Sequence, residues 1–203
     1  MKLTINFMRI FIFILLLSLS FQSWTKADNI YEFEIGGISI GDSLLDHFSL
    51  EEINNMYTVT YPKSLKYIKL GVSANNEFDD YDDLTFHVLQ NDKNYKIHTI
   101  NGVIYFENKM ADCLKKKKNV VRELSTVLPE IKHFNYDYKY PDPGRTAGSI
   151  AHVSDFEFDD GSSVRVWCVN WNEAAEKSLS YADSLSVSIS PNYFFEWLNN
   201  EAQ

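Results

Sequence analysis

No proline-, glycine- or serine-rich linker breaks this 203-residue chain, and neither a repeat nor a second composition regime is present. Domains joined by spacers are thereby excluded, and one medium domain with its own core is the expectation. Basic residues are in deficit: 19 Lys and Arg stand against 28 Asp and Glu, a net charge of −9. Lys2, Arg9 and Lys26 lie in the first 27 residues, which hold no acidic side chain, so residues 28–203 keep 16 against 28, or −12. Such a surface repels phosphate backbones and anionic lipid heads, which argues against nucleic acid and leaves cations, basic proteins or neutral ligands open as partners. Long apolar runs are absent after Phe21. Cysteines number two, Cys113 and Cys168, and neither is near residue 27, so a lipid-anchored form lacks the residue that would be acylated.

What is present begins with an export signal. Lys2 and Arg9 precede the apolar run Ile10–Leu17, and the small residues of Thr25-Lys26-Ala27 suit signal peptidase cleavage before Asp28. The apolar run, about a dozen residues even when extended to Phe21, is short of the roughly 20 that a bilayer span takes. Residues 1–27 therefore read as a signal peptide, and residues 28–203 as a single domain working in a periplasm or outside the cell, with no stable membrane anchor after cleavage. In an oxidising compartment two thiols more often pair than stay free. A Cys113–Cys168 bond would staple a predicted helix to a predicted strand across a loop of about 55 residues.

The pattern of elements predicts an α+β fold, a mostly antiparallel sheet built from hairpins with one long and two or three short helices packed on it. Residues 32–41 alternate like a half-buried strand, short helical turns are expected near 43–48 and 50–55, and strands at 57–61 and 65–72. A hairpin joins 84–90 to 95–100 through Asn91-Asp92-Lys93-Asn94, its second arm continuing past Gly102 to Phe106. Met110, Leu114, Val121, Leu124 and Leu128 mark an amphipathic helix over 109–129. A second hairpin pairs 153–158 with 163–171 around Asp159-Asp160-Gly161-Ser162. A last strand, 185–189, leads into a helix expected to start with Ser190 as cap and Pro191 in its first turn.

Gly41-Asp42-Ser43-Leu44 resembles the signature of the GDSL lipases and esterases, and it follows a predicted strand and precedes a predicted helix as that family requires. The resemblance implies Ser43 as a nucleophile, with nearby backbone N–H groups for the oxyanion. The family's other parts are missing. The only Asn-Asp pair, Asn91-Asp92, lacks the glycine before it, and none of His47, His87, His98, His133 and His152 has an Asp three residues ahead. A serine without a base keeps its proton at neutral pH. Capping accounts for the same residues: Ser43 with Asp46, and Ser49 with Glu52, are spaced as capping boxes.

Glu77, Asp79, Asp80, Asp82 and Asp83 crowd one loop, and hard cations such as calcium take such oxygens; yet no calcium loop aligns on 77–83, and a solvated acidic loop is expected. His87 and His98, on opposite arms of one hairpin, can approach each other but lack a third ligand. No metal or cofactor is assigned. Lys115–Lys118 cover different faces of the long helix, where Lys117 can lay its stem along the apolar stripe. Arg165, Trp167 and Trp171 share one face of a strand, as a contact surface or as packing beneath a helix.

The run Tyr31–Asp46, with Asn91–Ile97 and the cysteine-bearing helix, resembles exported proteins of small-genome marine bacteria to which no activity is assigned. That resemblance implies export and carries no catalytic residues. A strand, a Gly-x-Ser turn and a short helix are also similar to small envelope lipoproteins of the outer-membrane assembly machinery, whose lipidated cysteine is lacking. Together these features lead to the expectation of a non-catalytic exported domain that binds a protein or a small ligand.

Overall fold

Two glycines decide how the domain starts. Gly36 and Gly37 adopt φ of +61° and +76°, a conformation that only glycine takes without cost, and two such residues in succession make a tight hairpin turn. The run expected as one strand over 32–41 therefore folds back as β1 (Glu34–Ile35) and β2 (Ile38–Ser39), which pair through Ile35 and Ile38. The computed structural model describes residues 29–73, 78, 80–106 and 109–202. The leader lies outside that set, as do Glu77 and Asp79 of the acidic loop.

Serine caps open the next two turns. A single 3-10 turn spans Leu44–Asp46 and helix α1 spans Leu50–Asn55. Eight strands then form one antiparallel sheet: β3 (Tyr57–Thr60), β4 (Tyr67–Ser73), β5 (Asp83–Leu89), β6 (Thr99–Tyr105), β7 (Lys132–Lys139), β8 (Ile150–Glu157), β9 (Ser163–Asn170) and β10 (Ser184–Ser190). Their order is β3-β4-β5-β6-β10-β9-β8-β7. The chain meanders from β3 to β6, crosses by helix α2 (Met110–Val127) to the far edge, and meanders back until β10 pairs with β6. Two four-stranded meanders are thus joined last strand to last strand, an internal two-fold arrangement that leaves no repeat in the sequence.

The sheet buries one face. Leu70, Leu84, Phe86, Val88, Ile100, Val164, Val166, Leu185 and Ile189 point to that side and pack with Ile35, Leu44 and Ile53 from the first half. Helix α2 lies on the same side over β9 and β10, and Cys113 joins Cys168 there with 6.1 Å between Cα atoms. Cys113 and Leu128 are buried and Val120 packs against the core, whereas Leu114 is 38% exposed. The apolar stripe thus runs through Cys113 and Val120 rather than Leu114. Lys117 lies along it and its ammonium donates to Ser154 at 2.7 Å, with burial pushing its pKa down.

Three elements depart from the sequence pattern. Residues 95–98 are not part of a strand arm; Ile97 instead exchanges backbone hydrogen bonds with the 41–42 segment, and Ser43 bridges to Lys96. Strand β7 and helix α3 (Glu173–Leu179), the latter capped by Asn172, had no counterpart in the pattern. Helix α4 (Asn192–Asn200) begins one residue later than expected, with Pro191 extended at ψ 155° as its N-cap.

The candidate functional site, an open sheet face

On the opposite face of the sheet, polar and aromatic residues are in register at the centre, with Ala151, Val153 and Val169 as a small apolar cluster toward β8 and β9. Ser184, Ser186 and Ser188 of β10 run beside Asn101 and Val103 of β6, and Thr85 of β5 faces Asn101. Small side chains here let the flanking rows close over them, so Ser186 and Thr85 are buried although no core covers them. The Oδ1 of Asn101 is buried without a donor among the described residues. Tyr57 and Tyr105 stand on one side of this polar floor, and Phe134, Tyr136 and Tyr138 on the other, each between 43% and 48% exposed. Lys69 lies on the same face between Val59 and His87, its ammonium pKa pushed down by burial against the opposing pull of Asp83.

Two short elements cover the ends of this face. Helix α4 sets Phe194 and Trp197 against Tyr67 at 5.4 and 4.7 Å between ring centroids. Beyond α3, Tyr138, Tyr140, Trp171 and Tyr181 follow one another at 4.6 to 5.1 Å. Arg165, Trp167 and Trp171 are therefore on one face of β9 and its extension but in different surroundings. Arg165 donates through Nε and Nη2 to Asp155 Oδ2, at 3.0 and 2.6 Å, and lies 5.1 Å from the Phe195 ring of α4. Trp167 packs against Val153 and is half-buried. Trp171 belongs to the aromatic chain at the end. Packing and contact surface are both present.

The other sequence candidates have structural partners. The Ser43 hydroxyl donates to the Asn94 carbonyl at 2.5 Å and accepts the Leu45 N–H at 3.1 Å, while Asp46 accepts the Ser43 N–H at 3.3 Å. Its proton is thus committed to a carbonyl rather than to a base. Asp82 accepts the Tyr105 N–H at 2.7 Å, and Asp83 accepts the Tyr105 hydroxyl; these carboxylates tie β5 to the end of β6. Among the described residues no three His, Cys, Asp or Glu side chains converge as a metal site.

His87 and His98 do come together, beneath α4. His87 is hydrogen-bonded by Tyr61 and by Thr99, each at 2.6 Å, which suits a neutral imidazole that donates once and accepts once. Burial, with Lys69 and His98 nearby, pushes its pKa down to about 3. His98 meets Tyr193 at 2.9 Å and is also pushed down by burial. Both rings are packed among Tyr67, Phe194 and Tyr193, so this cluster anchors a helix. The signal that sequence reasoning missed is β7, whose alternation Phe134, Tyr136, Tyr138 forms one wall of the open face.

A depression of about 510 Å³ lined by Asp82, Tyr105, Phe106, Lys109 and Asp112 lies at the margin of this face, and one of about 460 Å³ reaches its β3–β4 side at Tyr57, Gly71 and Ser73. No described helix is long and apolar enough to cross a membrane. A wide, aromatic-rimmed surface of this kind is suited to contact with a partner. In comparison with known proteins, the chain matches no family model, no curated protein and no solved structure.

Proposed function

We propose that this chain is an exported, non-catalytic domain that binds a protein through the open face of its sheet. The observation that carries this reading is the asymmetry between the two faces. One is filled by the apolar core and by α2, while the other presents Tyr57, Tyr105, Phe134, Tyr136 and Tyr138 around a row of serines. Tyrosine and tryptophan beside arginine are the residues that dominate contact energies, because they combine large apolar area with a polar end and few rotors. The breadth of the face favours a protein over a small molecule, which needs a concave site. Export rests on the leader, and the disulfide is consistent with an oxidising compartment. The acidic balance of residues 28–203 favours a neutral or basic partner surface.

A thermal-shift panel of calcium, zinc, sugars, amino acids, osmolytes and ester analogues separates this reading from a small-ligand one. A ligand at 100 times its dissociation constant adds about 2.7 kcal/mol. The proposal predicts no shift across the panel; a shift abolished by Tyr105→Ala or Trp167→Ala would instead make the face a small-molecule site.

A further inference from the structure

Strand β7 ends the sheet, and its outer edge is unpaired among the described residues. It runs in unbroken register with β8 from Lys132↔Glu157 to Lys139↔Ile150, and all eight of its residues are exposed. Natural edges are usually blunted by shortness, proline, a bulge or charges along the strand. Here the strand is long and free of proline and glycine, with a lysine at each end and one carboxylate between them, Asp137, which His152 of β8 meets at 2.7 Å. Half of its backbone N–H and C=O groups therefore face outward as a template for another strand.

We infer that this edge pairs with β7 of a second copy of the chain, antiparallel, about a two-fold axis through Asn135. The inference is independent of the open-face reading. A two-fold perpendicular to the sheet keeps each side chain on its own face, so partners must be an even number of positions apart and one residue faces itself. With Asn135 on the axis, Asp137 falls opposite His133 and Lys132 opposite Tyr138, with Phe134 opposite Tyr136. A carboxylate meets an imidazole, an ammonium meets an aromatic ring, and rings meet rings, each contact occurring twice. These are favourable cross-strand pairs.

Neighbouring registers are worse. An axis at Tyr136 sets Lys139 opposite His133 and leaves Asp137 facing Asn135. An axis at Asp137 opposes two carboxylates. An axis at Phe134 leaves Asp137 opposite Ile131. The domain already uses this joint once, at the antiparallel β6–β10 seam between its own two meanders. Dimerisation would also bring the Tyr136 and Tyr138 walls of two copies together on one side of the joined sheet.

The test uses the full chain produced in a host that exports it, with its native disulfide intact. Sedimentation equilibrium of the wild type is expected to give twice the chain mass at high concentration. Asn135→Cys places two thiols directly opposite, within reach of a disulfide, and is expected to give a covalent dimer on oxidation, whereas Tyr136→Cys is not. Asp137→Lys is expected to yield monomer, and adding His133→Asp to restore the dimer. Wild type that sediments as monomer throughout overturns the inference, whatever the variants do. So does a dimer that cross-links through Tyr136→Cys as readily as through Asn135→Cys.

Discussion

Ser43 holds two segments at once: it caps the turn at Leu44–Asp46 and ties it to the 90–98 loop through the Asn94 carbonyl. Ser43→Ala is therefore expected to cost about 1 kcal/mol of stability, the usual cost of losing a cap, with no ester turnover before or after. Denaturant titration and an ester assay on both proteins check this; turnover in the wild type that disappears in the variant would restore the esterase reading. His87 makes a different kind of prediction. Its pKa of about 3 in the fold stands against 6.5 when unfolded, so between those values the unfolded chain binds a proton that the folded chain refuses. The stability that comes from keeping His87 neutral is complete above about pH 6.5 and is lost as pH falls toward 3. The slope approaches 1.4 kcal/mol per pH unit, roughly the free energy of one proton per unit. His98, also depressed by burial, acts in the same direction. Unfolding midpoints measured from pH 7 to pH 4 should fall, and His87→Gln should flatten the fall. Equal slopes in the two proteins would show that the imidazole is not held neutral.

At the scale of elements, the elements easiest to read in the sequence are those with one clean apolar face. Strand β5, the β8–β9 hairpin and helix α2 carry strong periodicity because one side of each meets a dense core. The placement of Cys113 and Cys168 on helix and strand was legible for the same reason. Strand β7 was not, because its alternating Phe134, Tyr136 and Tyr138 stand on an open face and His133, Asn135 and Asp137 between them are exposed too, so no buried apolar row marks it as a strand. The β1–β2 hairpin was hidden because its turn depends on the backbone of Gly36 and Gly37, while its flanking side chains keep a strand-like pattern. Two predictions belong here. The Cys113–Cys168 bond closes a loop of 55 residues, and a double Cys→Ala variant is expected to lose about 4 kcal/mol by the chain-entropy relation. Calorimetry of variant and wild type checks the loss, and equal melting temperatures would contradict it. Gly102 sits in central strand β6 where an added Cβ would lie 2.5 Å from the Tyr81 ring and 2.8 Å from Ile35. Gly102→Ala is expected to cost about 1–3 kcal/mol through overpacking, read from the shift in urea midpoint; an unchanged midpoint would mean that the β1 hairpin and Tyr81 do not rest on this strand.

Taken as a whole molecule, the domain places its main apolar core on one side of an eight-stranded sheet, while the other side sets serines and half-exposed aromatic rings between two smaller buried clusters, one around Tyr67, Phe194 and Trp197 and one around Ala151, Val153 and Val169. The open face was half legible. Arg165, Trp167 and Trp171 could be placed on one strand face from period-2 alternation alone. Which residues stand beside them depends on the strand order, and the β6–β10 seam that aligns Asn101 and Tyr105 with them is a long-range pairing that no local pattern encodes. The account therefore turns on whether that face is where a partner docks. Site-specific photo-crosslinking in intact exporting cells tests this most directly, with the reactive residue placed in turn at Tyr105, at Tyr138 and, on the opposite side, at Lys116. The account predicts from Tyr105 and Tyr138 a discrete adduct whose added mass differs from that of the chain itself, beside the adduct with a second copy that β7 pairing gives at Tyr138; the former is lost on Trp167→Ala and absent from Lys116. An adduct from Lys116 alone, or none from either open-face position, would contradict it.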